Sequence, residues 1–568
     1  MRWYLKEDPD ENIVAHLQEV LGVNAIIARL LAQRGITNYE DAKKFFRPSL
    51  LDLHNPFLMA DMDKAVHRII IAKDTCESVL VFGDYDVDGT TSVALMSSYL
   101  HELGIHTHSY IPDRYNEGYG ISFQGIDYAK ENGIKLIIAL DCGIKSIEHV
   151  EYAKHHGVDF IICDHHLPGD IIPAAIAVLD PKRSDCLYPY KELCGCGVGF
   201  KLIQGINQHL NKPFDNIQSY LDLVAIAIAG DVVPVTGENR ILAFYGLIVM
   251  NASPREGIKA LMKLYNLSNY TMNDIVFKLA PKINAAGRIE HGNFTVHLLT
   301  VSTENEANEA VQKIVGINEE RKSLDQGITE EALKQIIETK QINSKSTIVY
   351  SSSWHKGVIG IVASRLIDTY YRPTIVFTDS GEYLAASARS VKNFDVYQAL
   401  EACSEYIVQF GGHMYAAGLT IKKENLKPFI QKFEEVVTNT IEETDLIPEI
   451  EIDAKLNFSD ITDQFIRILK QFEPFGPNNP NPLFLSKSVF DTGYAKLAGL
   501  KGEHLKASFK QRGVSGFKFN AIGFNFGTTY YERIKEKDLF DIIYAIEENN
   551  WRNKRTIQLQ IKDMQLSW

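Results

Sequence analysis

At 568 residues the chain is too long for a single hydrophobic core, and three or four domains are expected. Its composition, 45% hydrophobic and 23% charged, is that of an ordinary globular protein, and no uncharged apolar run reaches the ~18–20 residues of a membrane span. The net charge of −13 argues against avid nonspecific phosphate binding over the whole surface, yet it permits a local basic groove, and aspartates that hold divalent cations are neutralised by them.

The opening residues, Met1-Arg2-Trp3-Tyr4-Leu5-Lys6-Glu7-Asp8, turn acidic before a signal-peptide apolar stretch could form, so a cytoplasmic protein with no membrane partner is expected. Residues 1–75 read as a polar-faced helical segment, with Leu17, Val20, Leu21, Ile26, Leu30 and Leu31 at helical spacing. From residue 76 to 302 short apolar runs alternate with helical stretches, which predicts an α/β domain with a parallel sheet. Its strands are Ser78-Val79-Leu80-Val81-Phe82, Leu136-Ile137-Ile138-Ala139-Leu140 and Phe160-Ile161-Ile162-Cys163. Helices are predicted from Thr91 to Leu103 and from Ile147 to His155. Near-continuous apolar strands suit a sheet covered on both faces.

Residues 303–342 are rich in Glu, Lys, Gln and Ala, without Pro and with only Gly316 and Gly327, and predict a long exposed connecting helix. A second α/β domain is expected over 343–445. Over 446–568 short alternating segments such as Arg555-Thr556-Ile557-Gln558-Leu559-Gln560-Ile561 predict a small β-barrel. The seven cysteines are scattered and odd in number, which argues against a disulfide framework. Cys194-Gly195-Cys196 is the one close pair and lacks a second pair at zinc spacing, so the cysteines read as buried small hydrophobes.

The strongest chemical signal is Gly83-Asp84-Tyr85-Asp86-Val87-Asp88-Gly89, three alternating carboxylates between a strand and a helix. In an open α/β sheet they lie at the carboxyl edge, where ligands bind. Aspartates that close repel one another unless a cation sits among them, and an oxygen-rich set favours Mg²⁺ or Mn²⁺ over zinc. A calcium loop is the competing reading. Counted from Asp84, however, its twelfth position is Leu95 rather than Glu, and a strand precedes it where a helix should. The next strands end in Asp141-Cys142-Gly143 and Asp164-His165-His166, and the apolar segment Leu223–Ala229 runs into Gly230-Asp231. One such aspartate is usually a helix cap, but several strand ends meeting at one sheet edge point to a site.

In order and spacing these four segments resemble the motifs of DHH phosphoesterases. The likeness extends through Leu179-Asp180-Pro181-Lys182, Asn284-Ala285-Ala286-Gly287-Arg288, His355-Lys356-Gly357-Val358-Ile359-Gly360, Ser387-Ala388-Arg389-Ser390 and Gly411-Gly412-His413 to the branch that degrades single-stranded DNA from the 5′ end. It covers nearly the whole chain. The resemblance implies a DHH catalytic domain over 76–302, a DHH-associated nucleic-acid-binding domain over 343–445 and an OB-fold over 446–568. It also implies two Mn²⁺ or Mg²⁺ ions ~3.5–4 Å apart, an arrangement that lowers the pKa of a shared water and stabilises attacking and leaving oxygens. The implied metal ligands are Asp86, Asp88, Asp141, His165 and Asp231, with Asp84 close by, Asp141 bridging the ions and His166 facing the scissile phosphate. Which of the three leading aspartates ligate directly stays open.

For the substrate, the resemblance implies that Arg114, Arg288, Ser387 and Arg389 cap a 5′ phosphate, to which guanidinium forks are well matched. His355 and Gly411-Gly412-His413 would contact the strand. A Gly-Gly pair alone reads as a tight turn. Phe472-Glu473-Pro474-Phe475-Gly476-Pro477-Asn478-Asn479-Pro480 resembles the opening of the branch's OB-fold. Phe509, Phe517, Phe519 and Phe524, interleaved with Lys506, Lys510, Arg512 and Lys518, offer either base stacking or one face of a strand's core. The implied partners are single-stranded DNA with a 5′ end, a single-strand binding protein and a RecQ-type helicase, with the chain a monomer. The alternatives are a small-substrate enzyme of the same family (an oligoribonuclease, cyclic-dinucleotide phosphodiesterase or pyrophosphatase), a relative of different polarity or RNA preference, and a non-catalytic DNA-binding scaffold. The C-terminal barrel counts against the first and the intact acidic set against the last.

Overall fold

The computed structural model describes residues 1–551 and 554–567. The chain forms two compact units. The first takes in His54–Asp231 and Gly246–Pro448. It opens with a sheet of β1 (Val79–Gly83), β2 (Thr107–Tyr110), β3 (Leu136–Leu140), β4 (Asp159–Cys163) and β5 (Ala177–Leu179). The order is β2-β1-β3-β4-β5 and every pair is parallel. Every residue of β1 and β3 is buried, as their unbroken apolar composition requires.

Register decides what this sheet can do. Gly83 pairs with Leu140 and Leu140 with Cys163, so Asp84, Asp141 and Asp164 leave three neighbouring strands at one level. After β1 comes helix α1 (Val87–Glu102), which starts a turn earlier than the sequence predicts because the Asp86 carboxylate accepts the Gly89 N–H at 3.0 Å and caps it. Helices α2 (Gly195–His209) and α3 (Leu221–Gly230) pack against α1. Arg255 holds α3 through Nε and Nη2 on the buried Asp222 carboxylate, at 2.6 and 2.8 Å. Asp231 is the residue at which α3 ends.

Helix α4 (Ala280–Ile289) follows a π-helical turn at Ile275–Leu279 and leads towards α5 (Glu304–Glu338), 35 residues long. The sequence reading of α5 as exposed needs correction, since Ala307, Val311, Ile314, Ile328, Ala332 and Ile336 form a buried stripe along it. The second sheet holds β6 (Thr347–Tyr350), β7 (Thr374–Ser380), β8 (Tyr383–Arg389), β9 (Ile407–His413) and β10 (Ala416–Lys422), with α6 (Ile359–Thr369) between β6 and β7. Its order is β9-β10-β8-β7-β6, and the β6–β7 pair is parallel while the rest are antiparallel.

The second unit takes in Arg2–Leu53, Val232–Tyr245 and Glu449–Trp568. The opening residues Arg2–Leu5 are a strand paired in parallel with Glu449–Ile452, which the helical reading of 1–75 did not include. Five strands, β11 (Phe484–Asp491), β12 (His504–Gln511), β13 (Phe519–Gly523), β14 (Phe540–Trp551) and β15 (Lys554–Leu566), run in the order β11-β14-β15-β13-β12 and close through a β11–β12 pairing. Closure leaves no free edge in the barrel. Leu17, Ile27, Leu30 and Leu31 share its core with Phe458, Phe465, Phe484 and Phe509. Phe509 is fully buried there, so of the four phenylalanines considered for stacking it is excluded, whereas Phe524 is exposed. Arg240 fastens Val232–Tyr245 to this unit by donating to the carbonyls of Phe45, Gln471, Phe472, Glu473 and Pro474. Six cysteines are buried as expected; Cys76 is exposed.

Candidate metal centre

The level strand ends bring five of the sequence-predicted residues together. His165 Nε2 lies 3.1 Å from Asp141 Oδ1, 3.6 Å from Asp231 Oδ2 and 3.8 Å from Asp88 Oδ2. Ligand atoms of Asp141, His165 and His166 fall within 4.8 Å of one another, as do those of Asp88, His165 and Asp231. Asp141 Oδ1 and His165 Nε2 are buried without a hydrogen-bond partner among the described residues. Buried polar atoms left open in this way are costly unless a ligand meets them. Three carboxylates around one imidazole make a hard, oxygen-rich set that fits Mg²⁺ or Mn²⁺.

Backbone geometry supports the cluster. Asp141 stands at the end of β3 with φ +62°, in the left-handed region that few residues other than Gly, Asn and Asp enter. Asp88 is held by the first turn of α2, where the amides of Gly195 and Cys196 donate to its two oxygens at 2.6 and 2.8 Å. The positive end of that helix favours the carboxylate. Asp84 and Asp86 belong to neither close grouping. Asp84 is fully buried, with one oxygen 3.4 Å from the Gly120 amide and the other unpartnered, while Asp86 spends one oxygen on capping α1.

Electrostatics follow from this crowding. Burial pushes the carboxyls of Asp84 and Asp141 well above the usual range, and the charge of Asp86, with that of Asp88 for Asp141, adds to it. Burial followed by like charges raises Asp88 to about 6 and Asp231 to about 8. His165 is pushed down to about 3 by burial and then by His166, so it is neutral and its nitrogen is free to ligate. Burial opposes charge on His166 as well, but the bond to Asp164 outweighs it and lifts His166 to about 9.

Asp164 received no role of its own from the sequence, and the structure shows what it does. One of its oxygens accepts the amides of His165 and His166, at 2.7 and 3.2 Å, and lies 2.7 Å from His166 Nδ1. Its other oxygen accepts the Ile144 amide at 2.8 Å. It therefore ties the end of β4 to the loop after β3 and turns His166 Nε2 outward. Tyr119 was also missed; its hydroxyl lies 3.2 Å from that Nε2 and donates to the Asp141 carbonyl at 3.3 Å. A tyrosine in the loop after β2 carries no sequence signal of such a contact. Asp180, at the end of β5, adds a further carboxyl raised by burial to about 7, with one oxygen unpartnered.

Three predicted arginines converge beside this cluster. Burial lowers Arg288 to about 10, with Arg114 and Arg389 adding to the shift, and Arg389 is lowered by burial and by Arg114. Arg114 stacks on Tyr85, 4.6 Å from the ring centre. Arg389 donates to Ser387 Oγ at 2.9 Å and Arg288 to the Gly357 carbonyl at 3.1 Å. Among the described residues none of the three has a carboxylate partner, so together they leave a cluster of positive charge without a counter-ion. His355 sits at the edge of this region, its ring 5.8 Å from that of Tyr115 in a T-shaped arrangement. Gly411, Gly412 and His413 form the end of strand β9, paired with Gly418, Ala417 and Ala416, so the alternative of a tight turn at the Gly-Gly pair is excluded.

Residues 78–228 match the DHH family, N-terminal domain; residues 343–439 match the DHHA1 domain and 452–563 the RecJ OB domain. The single-stranded-DNA-specific exonuclease RecJ of Bacillus subtilis (strain 168) is 36% identical over 571 residues, covering 100% of this chain and 71% of the relative. Its counterpart in Escherichia coli (strain K12) is 32% identical over 561 residues, 95% of each chain. The crystal structure of RecJ in complex with Mn²⁺ from Thermus thermophilus matches with a TM-score of 0.84 at 25% identity, covering 99% of this chain and 79% of that one. With DHH, DHHA1 and OB segments in that order and over 30% identity along its length, the chain belongs to the RecJ family of single-stranded-DNA-specific exonucleases.

Proposed function

We propose that this chain is a single-stranded-DNA-specific 5′→3′ exonuclease that hydrolyses phosphodiesters with Mn²⁺ or Mg²⁺ and releases 5′-mononucleotides, in DNA recombination and repair. The observation that carries the reading is the pairing of two features: a buried carboxylate–imidazole cluster with open ligand atoms, and three arginines without acidic partners among the described residues. Asp86, Asp88, Asp141, His165 and Asp231 would hold two divalent cations, with Asp84 supporting them. His165 is common to both close groupings, but its one nitrogen lone pair serves a single ion, whereas the two oxygens of Asp141 can bridge. Bound cations would neutralise phosphate charge and acidify a coordinated water.

The chain's own residues do the rest. His166, turned outward by Asp164, presents Nε2 to the scissile phosphate. Arg114, Arg288 and Arg389, with Ser387, take the terminal 5′ phosphate, which carries more charge than an internal diester; that preference makes the cut begin at an end. His355, Gly411, Gly412 and His413 line the path of the strand. The functional division is 1–75, a helical segment; 76–302, the catalytic domain; 303–342, the connector; 343–445, the DHH-associated domain; and 446–568, the OB-fold. Family likeness supports a monomer that works with a single-strand binding protein and a RecQ-type helicase in the cytoplasm. No single helix among the described residues is long and apolar enough to cross a membrane.

The test is degradation of 5′-labelled and 3′-labelled single strands, and of a matched duplex, in Mn²⁺ or Mg²⁺. Early release of the 5′ label with the duplex spared is expected. Release from the 3′ end first would overturn the polarity, and equal attack on a blunt duplex the strand selectivity.

A further inference from the structure

Helix α4 reaches the acidic loop with two residues, and one of them has the geometry of a clamp. Asn284 Oδ1 accepts the N–H of Val87, the first residue of α1, at 3.1 Å. Val87 lies between Asp86 and Asp88, and its amide is one of the donors that a helix start leaves without an intrahelical partner. Asp86 serves the Gly89 amide from inside the loop, while Asn284 serves the Val87 amide from across it. One turn later in α4, Gly287 packs so closely on the Tyr85 carbonyl that a Cβ would collide with it. The next residue, Arg288, belongs to the arginine cluster, and Tyr115 donates to its carbonyl. A π-helical turn, a form common at functional sites, immediately precedes α4.

We propose that Asn284 is a positioning residue for the metal centre: by holding the Val87 amide it fixes the Asp86–Asp88 loop in the conformation that receives the cations. The inference rests on the metal site proposed above. Among the described residues Asn284 has no hydrogen bond to a ligand oxygen. Because its Oδ1 is fixed on an N–H donor, its Nδ2 faces away from that amide, so acceptor and donor can be separated by substitution. Asn284→Asp keeps an oxygen for Val87, loses the donor and adds a negative charge that favours cation binding; Asn284→Ala loses both groups.

The test is Mn²⁺ binding by titration calorimetry on the full-length protein, without DNA. Hydrogen exchange of the Asp84–Gly89 segment is measured in metal-free protein. Wild-type protein should bind two Mn²⁺ ions. Asn284→Ala should bind them about tenfold more weakly, with faster exchange in the segment, since a buried amide loses its acceptor. Asn284→Asp should stay within about threefold of wild type for the same reason. Wild-type affinity in Asn284→Ala would overturn the proposal, and so would equal weakening in both variants, which would make the lost donor the cause. Should Asn284→Ala not fold, Asn284→Asp decides: weakening like that expected of Ala overturns the proposal, and near-wild-type affinity upholds it. Failure of the wild type to bind Mn²⁺ would instead remove the metal site itself.

Discussion

Nδ1 of His166 lies 2.7 Å from Oδ1 of Asp164, a carboxylate that also accepts the amides of His165, His166 and Ile144. One buried aspartate thus sets the orientation of the exposed histidine and the course of two strand ends. Asp164→Asn keeps the shape and removes the charge. It is expected to lower kcat by about 10–100-fold, the range for residues that orient a ligand or a catalytic group. KM for single-stranded DNA should change little, because Asp164 does not face the strand. A tenfold rise in KM at unchanged kcat would show that Asp164 acts in binding instead.

Gly195 has no room for a side chain. A Cβ there would lie 2.6 Å from the Asp141 Cβ and 2.7 Å from its Oδ1, while the Gly195 amide donates to Asp88. Gly195→Ala must therefore move Asp141 or the amides that hold Asp88. Mn²⁺ affinity measured by calorimetry should fall by at least about tenfold. Unchanged affinity would mean that neither aspartate sits where a cation needs it.

Arg389 carries its charge beside Arg114 and Arg288, with no carboxylate partner among the described residues. Removing it should matter only where a terminal phosphate is present. Arg389→Ala is expected to raise KM about tenfold on 5′-phosphorylated strands, in line with the loss of a charge-assisted hydrogen bond. KM on 5′-hydroxyl strands should barely move. Equal effects on both ends would place the residue on the strand path rather than at its terminus.

The raised carboxyls of Asp88, about 6, and Asp231, about 8, make metal-free stability depend on pH. Groups whose pKa rises on folding stabilise the folded state fully below the unfolded value, near 4, and lose that contribution as pH climbs through the folded values. In EDTA the melting temperature should therefore fall from about pH 5.5 to about pH 8.5. Mn²⁺ should cancel most of the fall, since the cations replace the protons that keep the carboxylates together. A melting temperature that rises across this interval in EDTA would contradict the crowding of these groups.

Local sequence settled a good deal of this protein. Unbroken apolar runs such as Leu136–Leu140 specify buried parallel strands, because a strand covered on both faces has no polar side to show. Asp84, Asp141 and Asp231 were readable as chemistry because each follows an apolar element, where a carboxylate has no packing role. Other features exist only in three dimensions. The register of Gly83 with Leu140 and of Leu140 with Cys163 levels the aspartates. Hydrogen bonds between residues far apart in the chain seat Asp88 on the Gly195 and Cys196 amides and Val87 on Asn284. The burial of Phe509 and the stripe along Glu304–Glu338 likewise depended on what packs against them. Apolar pattern and strand-end chemistry are properties of adjacent residues and are written in the chain. Which donor meets which acceptor depends on how strands and helices pack, and only the folded structure decides it.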